Sequence, residues 1–162
     1  MSSKIFVCFL LFVSLDCVVS LKMKSNPLND TDKKALALLV TLLTQFESRF
    51  ASNCELLKNN IYSDIEKISK SQHPYSQYPF IDEMHLLLKS ALKAEEKAIK
   101  EFSILHIIYE DFENKNDDEQ VNIQQRINVF KTKIEDSVTN VFMIYRDIDN
   151  KVKAEITRKH LA

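Results

Sequence analysis

The C-terminal third of the chain carries the longest regular pattern of apolar residues. From Val121 to Ile156, apolar side chains recur at steps of three and four: Ile123, Ile127, Phe130, Ile134, Val138, Val141, Tyr145, Ile148, Val152 and Ile156. This spacing is typical of one face of an α-helix. A helix with one long apolar face needs partner helices of similar length to bury that face, so the pattern predicts a helical bundle.

Two earlier segments show the same kind of pattern. A first helix is predicted over residues 32–69, with the apolar face Leu36, Leu39, Val40, Leu43, Phe46, Phe50, Cys54, Leu57, Ile61, Ile65 and Ile68. A second is predicted over residues 79–112, with the face Ile81, Met84, Leu88, Ala91, Ala98, Phe102, Leu105, Tyr109 and Phe112. The spacing near 3.5 residues in the second helix is typical of left-handed coiled-coil packing.

The connections between these segments determine their order in space. Pro74 and Pro79 lie in the linker over residues 69–79 and end the first helix. The turn over residues 113–118 is short, so the second and third helices must pack antiparallel. We therefore expect an all-α fold, an elongated antiparallel three-helix (up-down-up) bundle with coiled-coil-like packing. This single domain is predicted over residues 32–160, after a flexible leader at 21–31.

The first 20 residues have the pattern of a secretory signal peptide. Lys4 precedes a short apolar core. Val18 and Ser20, whose side chains are small or of moderate size, occupy the −3 and −1 positions of a plausible cleavage site before Leu21. The alternative is an uncleaved N-terminal anchor. No later apolar run approaches the roughly 20 residues of a membrane span, so we expect a secreted, extracellular product without transmembrane insertion. Asn29 opens a glycosylation sequon, although the same residues also suit the capping of the first helix.

Composition excludes several classes of function. The net charge is −1 with both signs interspersed, which argues against nucleic acid or an anionic membrane surface as the main partner. The chain contains no glycine. Phosphate-binding loops, dinucleotide fingerprints, calcium-binding EF-hand loops and nucleophile elbows all need backbone conformations that glycine adopts most readily, so none of these motifs is expected.

The residues that commonly carry catalysis do not converge in the sequence. His73 and His160 lie outside the predicted helices, and about 30 Å of helix separates His85 from His106, so no metal site is predicted. Glu95 is the one carboxylate on an apolar face. It is either a buried functional acid or, as we favour, a residue at a water-accessible edge. We expect no cofactor and no enzymatic activity.

Removal of the signal peptide would leave Cys54 as the only cysteine. A single cysteine in a secreted protein suggests an intermolecular disulfide or a free thiol. Because Cys54 lies on the apolar face of the first helix, a buried core residue is the favoured interpretation.

The three helices carry more apolar residues than one stripe requires, at the end of the bundle where the first and third helices begin. This surplus is interpreted in three ways: a patch that binds a partner protein or a second copy, a pocket for a fatty acid or similar ligand, or the broad face that a three-helix bundle needs. The residues for the patch or pocket are Leu39, Leu43, Phe102, Leu105, Ile108, Tyr109, Ile123, Ile127 and Phe130.

A signal peptide followed by three long helices resembles the layout of certain dust-mite helical-bundle allergens. The resemblance covers the order of elements over the mature chain and involves no shared motif. From the residues, we expect a secreted, non-enzymatic protein that acts through protein–protein contact, in the manner of an effector, an allergen or a cytokine, with a homodimer as one form. The alternative is an extracellular carrier of a small hydrophobic ligand.

Overall fold

The computed structural model of the protein describes residues 30–70, 78–112 and 117–158. They form three helices: α1 is Asp30–Ser69, α2 is Tyr78–Phe112 and α3 is Asp117–Arg158. Within these ranges only Lys70 is not helical, and its amide donates a 3.1 Å hydrogen bond to the Glu66 carbonyl. The predicted all-α three-helix bundle is confirmed.

Helix boundaries lie close to the predicted ones. α1 begins at Asp30, inside the segment predicted as a flexible leader, and ends at Ser69 as predicted. Pro79 lies in the first turn of α2, where the missing amide hydrogen costs no helical hydrogen bond. The predicted signal peptide at residues 1–20 and the sequon residue Asn29 lie outside the described residues.

The predicted apolar faces are the buried faces of the helices. Nearly every residue assigned to them is buried, and the exceptions, which keep partial exposure, are Val40, Leu57, Ile81, Phe130 and Ile156. Burial of these long stripes supplies the main favourable free energy of folding, at about 25 cal/mol per Å² of apolar surface.

The described residues group into two compact units, each containing a segment of all three helices. Unit 1 falls within residues 1–48 and 102–131, and unit 2 within residues 49–101 and 132–162. In unit 1 the rings of Phe46 and Phe102 pack with centroids 5.6 Å apart. In unit 2 Phe50 and Phe142 meet edge to face at 5.8 Å. Each unit thus has its own aromatic contact between helices.

Two polar contacts show the direction of α2 and α3 within unit 2. The Tyr145 hydroxyl lies 2.8 Å from a carboxylate oxygen of Glu95, and Lys151 Nζ lies 2.9 Å from one of Glu83. The lower-numbered residue of α2 contacts the higher-numbered residue of α3, so the two helices run antiparallel, as predicted from the short turn between them.

Candidate functional site

The structure places the residues predicted as an apolar patch in the interior of unit 1. Eight of the nine are buried, and Phe130 is half-buried. They therefore do not form an exposed contact surface, because each helix turns this broad face toward its neighbours. The Phe46–Phe102 ring contact occupies part of the same interior. A ligand pocket among these residues stays a prediction.

Exposed apolar side chains instead lie on the outer faces of the helices. On α2, Ile104 is 38% exposed and Ile107 is 57% exposed. Residues three apart on a helix are neighbours, so these two side chains form one apolar spot. The other large apolar side chains exposed in the described residues are Leu38, Leu56, Tyr62, Leu86, Leu92, Val129 and Met143.

Ile104 and Ile107 were not among the residues predicted for the apolar patch, which on α2 were Phe102, Leu105, Ile108 and Tyr109. The apolar seam of α2 passes through Phe102, Leu105 and Tyr109. At about 100° per residue around the helix axis, Ile107 lies on the side opposite that seam. This angular position was the feature of the sequence that could have identified it.

A buried polar cluster in unit 2 centres on Glu95. Glu95 lies on the seam of α2 between the fully buried Ala91 and Ala98, and it is only 9% exposed. Its Oε2 accepts a 2.8 Å hydrogen bond from the Tyr145 hydroxyl, and its Oε1 accepts one of 3.4 Å from Lys58 Nζ. The cluster therefore joins side chains from all three helices.

The favoured prediction for Glu95, a water-accessible edge position, is wrong. Small neighbours do not admit water to Glu95, which is buried, and the buried face of α2 does not shift toward Leu92 and Ile99, since Leu92 is exposed and Ile99 is only half-buried. The seam continues straight through Glu95. A buried carboxylate is tolerated there because both of its oxygens have hydrogen-bond donors.

Lys58 links this cluster to the surface of the protein. Its ammonium group lies 2.9 Å from Glu55 and 3.4 Å from Glu95, and the Lys58 side chain is largely shielded from solvent. Hydrogen bonding to Glu55 raises the pKa of Lys58, and the charge of Glu95 raises it further. Lys58 therefore remains charged at neutral pH.

Tyr145 supplies the second donor to Glu95 and is fully buried. Burial, followed by its hydrogen bond to Glu95, holds the pKa of the Tyr145 hydroxyl well above its ordinary value. The hydroxyl thus stays protonated and keeps donating to Glu95. With both oxygens of Glu95 bound by donors from α1 and α3, the cluster links the three helices.

Cys54 is a free cysteine with no exposed surface. Burial and the nearby charge of Glu95 raise the pKa of its thiol to about 12, outweighing the opposite effect of Lys58. A thiol in this state is a poor nucleophile. The position fits the favoured core interpretation, whereas a disulfide to a second chain would require the sulfur to reach the surface.

The structure describes two of the four histidines. His106 on α2 lies 3.2 Å from a carboxylate oxygen of Glu47 on α1, and both side chains are partly buried. His85 is exposed. His73 and His160 lie outside the described residues. Among the residues that the structure describes, no group of three or more His, Cys, Asp or Glu side chains is arranged to hold a metal ion.

Glu101 is a second buried carboxylate on α2, and it is less well satisfied than Glu95. Its Oε2 has no hydrogen-bond partner in the described part of the chain, and Lys97 Nζ lies 3.9 Å from Oε1. An unpaired buried oxygen costs about 1–3 kcal/mol.

Comparison with known proteins gives no relative: no family model, no curated protein and no solved structure matches the chain. None of the described helices has the length and apolar character needed to cross a membrane.

Proposed function

We propose that the protein is a secreted, non-enzymatic helical bundle that acts through protein–protein contact. The observation that carries this proposal is the apolar spot formed by Ile104 and Ile107, which face outward on α2. An outward-facing apolar pair on a regular helix suits recognition between helices, in which apolar side chains three and four residues apart anchor the contact.

Two further features support the proposal. Both carboxylate oxygens of the buried Glu95 accept hydrogen bonds from Tyr145 and Lys58 of the same chain, which supports a structural role for this carboxylate. The signal-peptide pattern of residues 1–20 supports secretion, and a secreted protein would make this contact outside the cell.

The test compares the full-length gene product, purified from culture medium, with a double variant, Ile104→Ser with Ile107→Ser. Size-exclusion chromatography with light scattering and chemical cross-linking in the medium would detect a complex with a second copy or with another protein. We expect the wild type to form such a complex and the double variant to lose it. Leu86→Ser is the matched control, because Leu86 is also an exposed apolar residue on α2.

Two results would contradict the proposal. One is a wild type that forms no protein complex, or forms the same complexes as the double variant. The other is a lipid recovered in stoichiometric amount by organic extraction and mass spectrometry of the purified protein. That second result would favour the carrier of a hydrophobic ligand.

A further inference from the structure

The outer face of α2 carries a strip of four exposed residues whose spacing reads the same in both directions and whose two ends carry opposite charges. Lys100, Ile104, Ile107 and Asp111 are spaced by four, three and four residues, which places them on one face of a continuous helix. We refer to these four residues as the outer strip. It is apolar in the middle, basic at its N-terminal end and acidic at its C-terminal end.

A strip of this kind is complementary to itself when it is reversed. A twofold axis between Ile104 and Ile107 would set each isoleucine against the other isoleucine of a second, antiparallel helix. The same axis would set Lys100 of each chain opposite Asp111 of the other. In a symmetric dimer every contact occurs twice, so the outer strip would give two apolar contacts and two ion pairs.

We propose that the outer strip binds a second copy of this chain, with the two α2 helices antiparallel. This inference rests on the proposed function, since it names the partner for the same apolar spot. Lys100 and Asp111 are both exposed, and neither forms an ion pair with another described side chain of its own chain, so both are available to a partner. An anionic membrane would favour a uniformly basic strip, and here the two charges cancel.

The size of the outer strip sets the expected strength of the dimer. Eleven residues separate its ends, a rise of about 16 Å or three helical turns. A strip of this length that is one side chain wide buries far less area than the roughly 800 Å² per partner of a standard stable interface. The dimer is therefore of the weak, transient class, and it should be measured by sedimentation equilibrium of the full chain from about 10 μM to 1 mM.

The decisive test uses charge reversal. Lys100→Glu and Asp111→Lys should each weaken self-association roughly tenfold, because each replaces two attractive pairs of the dimer with two repulsive ones. An equimolar mixture of the two variants should recover association. In the mixed dimer, the introduced carboxylate at position 100 faces the introduced ammonium at position 111, and the native Lys100 faces the native Asp111.

Lys93→Glu is the matched control, because Lys93 is an exposed lysine on α2 seven residues before the outer strip begins. It should associate as the wild type does, and circular dichroism should show equal helicity in all variants. A wild type that is monomeric at 1 mM would overturn the inference. So would single variants that associate normally, or a mixture that does not recover.

These results also separate this inference from the proposed function. The double variant Ile104→Ser with Ile107→Ser could lose association while the charge-reversal variants keep it. That outcome would support protein contact through the apolar spot but contradict the antiparallel arrangement. A monomeric wild type that binds a different protein through the apolar spot would also support the proposed function and contradict the antiparallel dimer. A wild type that binds no protein at all would remove both.

Discussion

The interiors of the two units differ most in what α2 contributes to them. In unit 1 the seam of α2 consists of the large side chains Phe102, Leu105, Tyr109 and Phe112. In unit 2 its middle consists of Ala91, Glu95 and Ala98. The α2 seam thus contributes only large apolar side chains to unit 1, whereas in unit 2 it changes from Met84 and Leu88 to small side chains and a hydrogen-bonded carboxylate.

The seam of α2 therefore contributes in two ways: its large apolar residues add stability, and its buried carboxylate adds specificity of helix alignment. Large apolar side chains stabilise a bundle strongly but accept many alignments, because one apolar contact can replace another. A buried carboxylate accepts only the alignment that brings it its donors, here Tyr145 and Lys58. We expect unit 1 to contribute more stability per residue and the Glu95 cluster to contribute specificity of register.

The largest effect should come from truncating the apolar seam in unit 1. Phe102→Ala removes a fully buried ring that packs on Phe46, and it should lower the free energy of unfolding by about 3–5 kcal/mol. Ile107→Ala on the same helix, whose side chain is exposed, should change it by no more than about 0.5 kcal/mol. Urea denaturation followed by circular dichroism measures both. Equal losses in the two variants would show that the seam is not where the structure places it.

The second effect concerns the Glu95 cluster and is best measured as a double-mutant cycle. Tyr145→Phe removes a donor from a buried carboxylate, and Glu95→Met removes the acceptor from a buried hydroxyl. Each should cost about 1–3 kcal/mol. The double variant should be close to the wild type or more stable, because an apolar pair leaves no unsatisfied group.

The control for this cycle pairs Tyr145→Phe with Glu96→Met. Glu96 is the next residue along α2 and is exposed, so its effect should simply add to that of Tyr145→Phe. Additive losses in the Glu95 cycle would mean that the 2.8 Å hydrogen bond between Tyr145 and Glu95 does not contribute to stability.

The three helices could be predicted because each has a long, regular spacing of apolar residues. The partners of Glu95 could not. Which residues of α1 and α3 face a given position on α2 depends on the alignment of the helices along their axes, and apolar periodicity does not determine that alignment. Tyr145 was correctly placed on an apolar face, but nothing in the sequence paired it with Glu95.

The candidate contact surface shows a second limit of sequence reasoning. Ile107 and Ile108 are adjacent and identical in type, yet Ile107 is exposed and Ile108 is fully buried. They differ by about 100° around the helix axis. An apolar run gives both residues the same weight, so the outward one is recognised only once the buried seam has been located.

The smallest effect concerns alkaline pH and again separates the two interiors. The thiol of Cys54 in unit 2 has an ordinary pKa of 9.0 that the folded protein raises to about 12, with burial as the main cause. Burial likewise raises the pKa of Tyr109 in unit 1 from 10.0 to about 12. In the unfolded chain, Cys54 therefore ionises about one pH unit below Tyr109. Of these two groups, Cys54 in unit 2 should account for most of the change in unfolding free energy between pH 8 and 10.

Between pH 9 and 12 the unfolded state releases the Cys54 proton while the folded state retains it. The unfolded state therefore binds fewer protons, and stability must fall as pH rises through this window. By pH 10 the loss from Cys54 should reach about 1 kcal/mol. Cys54→Ala should flatten the slope of unfolding free energy between pH 8 and 10, whereas Ile61→Val, a buried truncation on the same helix that does not titrate, should leave the slope unchanged. An unchanged slope in Cys54→Ala would mean that the thiol reaches water in the folded protein, and the intermolecular disulfide would then become the better interpretation of this cysteine.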